Sequence, residues 1–217
     1  MAILTTSADT TNIGSVWYNS TVGRLQYSYL GASWFAGGAL ITARNNLAGA
    51  GTQNEALAFG GCSPAAFVSC TEEYNGASWS TGGALINARQ CLAGLGTQNA
   101  GLAFGGANPA AVSCTEEYNG DSWTAGGALI TARNGLGGAG TQNAGLAFGG
   151  SPGGSCTEEY NGASWSAGGA LITARSALAG AGTQNAGLAF GGSPTGSSFQ
   201  SSSCTEEYII GNQTCTL

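Results

Sequence analysis

One block of residues repeats along this chain almost without change, and this repetition constrains the fold more than any other feature. The stretch Leu146–Arg175 reads LAFGGSPGGSCTEEYNGASWSAGGALITAR, and it returns nearly letter for letter as Leu57–Arg89 and Leu102–Arg133. The landmarks of the repeat are Phe59, Phe104, Phe148 and Phe190, and Trp34, Trp79, Trp123 and Trp165. Both series step by 45, 44 and 42 residues. Such a period predicts a single array of similar supersecondary units.

Composition argues against several classes of function. The only basic residues are five Arg, the chain has no His, and its net charge is −6. Because a basic surface for phosphates cannot be assembled from five scattered Arg, we expect no nucleic-acid partner. No apolar run approaches the roughly 18 residues of a membrane-spanning helix, so we expect no membrane insertion. The start, Met1–Asn12, lacks the basic and apolar regions of a signal peptide, which indicates another export route or a removed leader.

Seven cysteines are present, and four of them precede a Thr-Glu-Glu-Tyr motif. These four are Cys70, Cys114, Cys156 and Cys204. Equivalent positions of successive units lie too far apart for the Cα separation of about 4.4–6.8 Å in a disulfide, so we expect small buried side chains here. A local bridge between Cys62 and Cys70 stays open, whereas Cys91 and Cys215 have no evident mates. Without His or a CxxC motif, the sequence predicts no metal site and no cofactor.

Each unit is expected to form four short strands, which we call a, b, c and d. In the second complete copy the predicted strands are Leu92–Gly96, Ala100–Gly105, Cys114–Tyr118 and Ser122–Ala128. The Asn119-Gly120 pair between c and d is typical of a type I′ hairpin turn, in which both central residues have positive φ. The apolar tail before Arg133 is too short to be a stable helix, so it is expected to pass to the next unit. The sequence therefore predicts an all-β fold.

The order of residues within a unit resembles the kelch repeat. Gly105-Gly106, Tyr118, Trp123 and Arg133 follow the kelch order of diglycine, tyrosine, tryptophan and arginine, and the resemblance extends over roughly Ser15–Leu217. It implies a β-propeller of four-stranded antiparallel blades around an axis. Residues 1–14 would be a polar arm for attachment, and residues 15–217 one propeller domain. We expect five blades, with Gln213–Leu217 closing the ring; four blades plus an N-terminal hairpin is the alternative.

Most of the repeated residues are assigned structural roles. Aromatic residues such as Phe104, Tyr118 and Trp123 are expected in the core between blades. One Glu of each pair is expected to meet the Arg of its unit and to anchor the crossover between blades. The residues concerned are Arg44, Arg89, Arg133 and Arg175, and Glu72, Glu116, Glu158 and Glu206. Adjacent carboxylates on a strand point to opposite faces, and no His or Lys can activate a hydroxyl, so we expect no enzymatic activity.

The loops between strands b and c are the candidate ligand-binding residues. Alternating strand directions place the a–b and c–d turns on one side, and the b–c loops and d–a crossovers on the other. The b–c loops differ in length and content: they are Cys62–Ser69, Ala107–Ser113, Ser151–Ser155 and Ser193–Ser203. The candidate residues are Ser63, Pro64, Phe67, Asn108, Pro109, Ser151, Pro152, Ser193, Pro194, Phe199 and Gln200. Recognition commonly uses loops carried by a rigid scaffold.

The segment Ile13–Ser28 resembles the head of bacteriophage tail-fibre and other virion proteins. The Ala/Gly-rich kelch-like array of this chain is similar to those of phages and aquatic bacteria. This resemblance implies a virion protein, structural or adhesive, that contacts other virion proteins or its own copies. Its variable face would bind host-surface glycans, with several weak sites adding avidity. A soluble lectin-like propeller and a self-assembling extracellular filament are the alternatives.

Overall fold

The computed structural model describes residues 16–19, 23–27, 34–194 and 200–210, and these residues form an all-β structure without helices. The prediction of an all-β fold is therefore confirmed. The chain divides into two compact units, Met1–Gly37 and Gly38–Leu217. In the first unit, strands β1 (Val16–Asn19) and β2 (Arg24–Tyr27) form an antiparallel hairpin.

Among its described residues, the second unit has three four-stranded antiparallel sheets, each built from strands consecutive in the chain, one three-stranded sheet and one two-stranded sheet. Sheet I consists of β3 (Ala48–Gly51), β4 (Ala56–Phe59), β5 (Thr71–Tyr74) and β6 (Trp79–Gly82). Sheet II consists of β7 (Ala93–Thr97), β8 (Ala100–Phe104), β9 (Thr115–Tyr118) and β10 (Trp123–Ala125). Sheet III consists of β11 (Gly137–Thr141), β12 (Ala144–Phe148), β13 (Thr157–Tyr160) and β14 (Trp165–Ala167). After the short β15 (Arg175–Ser176), sheet IV follows with β16 (Ala179–Thr183), β17 (Ala186–Phe190) and β19 (Thr205–Ile209), while β18 (Ser193–Pro194) pairs with β15.

The observed strands of sheet II correspond to the predicted strands a to d, although strand d ends at Ala125 rather than at Ala128. The c–d turn differs from the type I′ prediction. Gly120 has a φ of +93°, whereas Asn119 is not among the described residues with positive φ. Instead the Asn119 side-chain oxygen accepts hydrogen bonds from the amides of Asp121 and Ser122, at 3.0 and 2.9 Å. This Asn side chain organises the turn from its first residue, which is a common use of Asn.

Neighbouring sheets pack face to face through aromatic residues, which gives the unit a propeller-like architecture. The Trp123 ring of sheet II lies 4.9 Å from the Phe59 ring of sheet I, and Trp165 of sheet III lies 5.1 Å from Phe104 of sheet II. Phe59 and Phe104 are fully buried. These contacts form one hydrophobic core per pair of sheets.

Two of the four tryptophans of the repeat are not part of such a core. Trp34 was expected to share the structural role of Trp123, but its exposed fraction is 103%, so that expectation is wrong for the structure described. Trp79 is half-buried. The reason is that Trp123 is covered by a phenylalanine of the preceding repeat, and no complete preceding repeat is described for Trp34 or Trp79.

The first strands of successive sheets approach so closely that alternate positions must be glycine. A Cβ added to Gly180 in β16 would lie 2.4 Å from the backbone oxygen of Gly138 in β11. A Cβ on Gly94 in β7 would lie 2.9 Å from the oxygen of Gly49 in β3. The Ala-Gly alternation of these strands is thus explained by backbone-to-backbone packing between sheets.

The crossovers between sheets form a ladder of backbone hydrogen bonds. Asn46, Cys91 and Ala177 have φ values of 51°, 53° and 54°, and Gly135 has a φ of 60°. The amide of Cys91 donates to the oxygen of Asn46 at 2.9 Å, Gly135 to Cys91 at 2.8 Å, and Ala177 to Gly135 at 2.7 Å. One left-handed residue per repeat therefore ties each crossover directly to the next.

Candidate functional site

Each b–c loop begins by pairing with the crossover of its own repeat. Cys62 bridges to Asn45, Ala107 to Gln90, and Ser151 to Asn134. In sheet IV the same contact is the pair of Ser193 and Ser176. Because the loops and the crossovers are paired, they lie on one side of the sheets, as the alternating strand directions predicted.

The tips of these loops reach solvent. Pro64, Asn108, Pro109, Ser151, Pro152 and Gln200 are exposed, whereas Ser63, Phe67, Ser193 and Pro194 are half-buried. Phe199 lies outside the described residues. The structure thus brings the candidate residues of the first three loops to one side and presents their Pro and polar tips.

Short turns hold the first two loop tips in place. In the first loop, the Ser63 amide donates to the Ala66 oxygen at 3.0 Å. In the second, the Asn108 amide donates to the Ala110 oxygen at 2.9 Å, and the Asn108 side chain donates to the Ala88 oxygen at 2.6 Å. These loops are ordered by their own hydrogen bonds, so a ligand would meet a largely formed surface.

No charged residue occurs in any of the four b–c loops. Their content is Ser, Thr, Pro, Ala, Val and Gly, with Asn108, Gln200, two Phe and Cys62. A surface of this kind offers hydroxyl and amide groups for hydrogen bonds and small apolar patches for packing. Its chemistry suits a neutral polar ligand and disfavours a strongly charged one.

The turns on the opposite side are occupied by structural hydrogen bonds. The Gln98 side chain donates to the backbone oxygens of Ala56 and Tyr74 in the preceding sheet, at 3.0 and 2.8 Å. Gln142 and Gln184 make the same contacts one and two sheets further on. The near-identical Thr-Gln-Asn turns therefore clamp one sheet to the next, a role that the sequence analysis did not identify.

The first Glu of each unit forms a buried ion pair with the Arg that ends the preceding unit, so the expectation that the Arg belongs to the same unit is wrong. The reason is that the crossover that contains each Arg lies against the following sheet. The pairs are Arg44–Glu72 at 2.7 Å, Arg89–Glu116, Arg133–Glu158 at 2.8 Å and Arg175–Glu206 at 3.0 Å. The same carboxylates accept crossover amides, as Glu72 does from Ile41 at 2.7 Å and Thr42 at 3.1 Å. Burial lowers the pKa of Arg133, against the raising effect of Glu158. These carboxylates hold the crossovers against the sheets.

The second Glu of each pair binds a tyrosine of the next sheet. Tyr118 donates its hydroxyl hydrogen to Glu73, and Tyr160 donates to Glu117, both at 2.5 Å. Tyr208 makes the same bond to Glu159. Burial, with a further contribution from the Glu hydrogen bond, raises the pKa of Tyr118 and of Tyr160 to about 12. Sequence analysis had placed this Glu on the opposite face of the strand but had not found its partner.

The cysteines before the Thr-Glu-Glu-Tyr motif are less buried than expected. Cys70, Cys114 and Cys156 are half-buried and Cys204 is exposed, because they lie at the ends of the b–c loops. Cys62 and Cys70 are both free thiols, so the local bridge considered above is not formed. Burial, and secondly the neighbouring Cys62, raises the pKa of Cys91.

Within the described ranges, no group of three or more His, Cys, Asp or Glu side chains could hold a metal ion. The same residues contain no helix that is long and apolar enough to cross a membrane. Comparison with models of protein families and with curated proteins finds no match to this chain.

Proposed function

We propose that this chain is a non-enzymatic structural or adhesion protein of a phage particle, in which a propeller-like scaffold presents the b–c loops to neutral glycans of a host surface. The observation that carries the proposal is a difference between the repeated residues and the residues of the b–c loops. The repeated Arg, Glu, Tyr, Gln and Asn side chains are engaged in bonds that hold the scaffold, whereas the b–c loops carry exposed residues that differ between copies in length and content.

Loop chemistry supports a neutral glycan as the ligand. Sugars present many hydroxyl groups and small apolar patches, and the loops offer Ser and Asn groups beside Pro and Ala without any charge. Each loop is small, so a single contact is weak. Several loops on one subunit, and many subunits on one particle, would add avidity without new contacts.

A glycan array probed with the full chain, displayed at high density on beads, tests this role. The loop variant carries Asn108→Gly with Pro109→Gly, which alters an exposed loop tip. The matched control is Asp121→Ala, which changes an exposed turn on the other side to the residue found at Ala77 and Ala163. We expect binding to neutral glycans that falls in the loop variant and persists in the control. Absence of any binding by the unaltered chain would reject glycan recognition.

We also propose that the array is completed by a fifth blade. Two sheet faces at the ends of the array support this. A cavity of ≈ 470 Å³ opens over sheet I beside Leu40, Leu47 and Trp79, and at the other end Phe190 of sheet IV is 39% exposed. Deleting residues 1–37 is expected to lower the melting temperature if these residues contribute the fifth blade. An unchanged melting temperature would favour four blades and an attachment hairpin.

Self-assembly is a second candidate, and it rests on the same two faces. Phe190 and Trp79 occupy the positions of Phe59 and Trp123, which pack together inside the array. Two copies joined in this head-to-tail way would form an open filament or a ring. Light scattering over a range of protein concentrations tests this candidate, because a monomer at every concentration excludes it.

A further inference from the structure

The interface between sheets III and IV differs from the two before it. In the first two interfaces a tryptophan indole is held by three residues. The Trp123 ring lies 4.9 Å from both Phe59 and Tyr118, and its ring N–H donates to the Thr71 hydroxyl at 2.9 Å.

The next interface repeats the same three contacts. Trp165 lies 5.1 Å from Phe104 and 4.8 Å from Tyr160, and its ring N–H donates to the Thr115 hydroxyl at 2.9 Å. Two independent copies of the contact therefore define the environment that this fold provides for an indole: two aromatic rings and one hydroxyl acceptor.

At the third interface the same three residues line a cavity. Phe148, Thr157 and Tyr208 occupy the positions of Phe104, Thr115 and Tyr160, and they surround a cavity of ≈ 250 Å³ together with Leu146, Leu171 and Ala189. The sequence has Gln213, five residues after Tyr208, where the other repeats have Trp. Tyr208 is half-buried, whereas Tyr118 and Tyr160 are fully buried.

We infer that this cavity is a binding site for an indole ring. The ring would lie against Phe148 and Tyr208 and donate its N–H to the Thr157 hydroxyl, as Trp165 does at Thr115. The cavity is smaller than the roughly 300–1,000 Å³ of sites for drug-sized ligands, which agrees with a single bicyclic ring. The indole comes either from a free small molecule or from a tryptophan side chain of a polypeptide, and both share this chemistry.

Fluorine NMR of the full chain tests the site with two probes, 5-fluoroindole and N-acetyl-5-fluoro-tryptophanamide. We expect saturable binding with one site per chain. Binding of 5-fluoroindole alone supports a small-molecule ligand, and binding of the amide as well supports a tryptophan side chain. Binding of neither probe overturns the inference.

One matched pair of variants and one further variant locate the site. Thr157→Val removes the hydroxyl acceptor and is expected to weaken binding about fivefold, the effect of one neutral hydrogen bond, while Thr115→Val beneath Trp165 leaves it unchanged. Trp165→Ala is expected to open a second site and raise the stoichiometry to two. If Thr157→Val binds like the unaltered chain, the probe is elsewhere and the inference is wrong.

If Trp165→Ala proves too unstable to titrate, its thermal unfolding gives a second measurement. Indole should raise the melting temperature of this variant by occupying the emptied pocket, because a ligand that binds only the folded state stabilises it. A melting temperature that does not respond to indole would contradict the claim that this three-residue environment binds the ring.

Discussion

Tyr118 donates its hydroxyl hydrogen to Glu73 across the interface between sheets I and II, and the two residues are 45 positions apart in the chain. The same hydroxyl also accepts from the Gly83 amide at 3.4 Å. Because the bond spans one repeat length, it recurs at the following interfaces as Tyr160–Glu117 and Tyr208–Glu159. Because a hydrogen bond joins two particular atoms, it defines the register of one sheet on the next more narrowly than apolar contacts do.

The coupling between these two side chains can be measured by a double-mutant cycle. Tyr118→Phe and Glu73→Gln are each expected to lower the free energy of unfolding by about 1–3 kcal/mol, as for a hydrogen bond to a charged group. The double variant should lose less unfolding free energy than the sum of the two single-variant losses, because both single changes remove the same bond. Urea unfolding gives all four free energies, and strict additivity would contradict the bond.

Alkaline pH should weaken the fold through these tyrosines. Their pKa in the folded state is raised to about 12 from an ordinary value of 10, mainly by burial. The folded state therefore favours the neutral phenol. The stabilisation that this gives to the folded state is complete below about pH 10 and is lost as the pH rises towards 12. The double variant Tyr118→Phe, Tyr160→Phe should show a flatter decline of unfolding free energy over this range. An identical slope in both proteins would contradict the prediction.

Breaking one buried ion pair should strongly lower the free energy of unfolding. Glu116→Gln leaves the Arg89 guanidinium buried without its counter-charge, and we expect a loss of about 3–5 kcal/mol in the free energy of unfolding. Adding Arg89→Met should recover part of this loss, since no buried charge then remains. The control is Glu55→Gln, at an exposed position, which should change stability little. Chemical denaturation of the four proteins provides the comparison, and equal effects at positions 55 and 116 would refute it.

Close packing of the first strands predicts a position-dependent response to alanine. Gly180→Ala places a Cβ 2.4 Å from a backbone oxygen that cannot move aside easily, and we expect a loss of about 1–3 kcal/mol. Gly169→Ala is the control. A Cβ at Gly169 would lie 3.5 Å from its nearest neighbour, a Tyr208 ring atom, and the backbone there is not in the left-handed region. Thermal unfolding of both variants tests the difference, and equal melting temperatures would contradict the packing described.

Much of the scaffold could be predicted from the repeat alone. Residues that recur at a fixed spacing are expected to occupy similar environments, so the order of the four strands of sheet II and the pairing of the repeated Arg with a Glu follow from the pattern. The positions of the variable loops follow as well, because strand direction alternates. The pattern did not show that Arg89 pairs with Glu116 of the following unit. The partner of Glu73 was not predicted, because Tyr118 belongs to another unit and the spacing of residues within one unit does not indicate which units are in contact.

The sequence by itself determined the period, the four-strand unit and the side on which the b–c loops lie, because these depend on local propensity and on the alternation of strands. Only the tertiary structure decided how the units meet. The Gln98 clamp, the Gly180 contact and the ladder through Cys91 join residues of different repeats, and their geometry depends on the distance between sheets. The cavity at Phe148 is the clearest case. The sequence shows Gln213 where the other repeats have Trp, but only the packing of sheet IV on sheet III shows that Phe148 and Thr157 line a cavity.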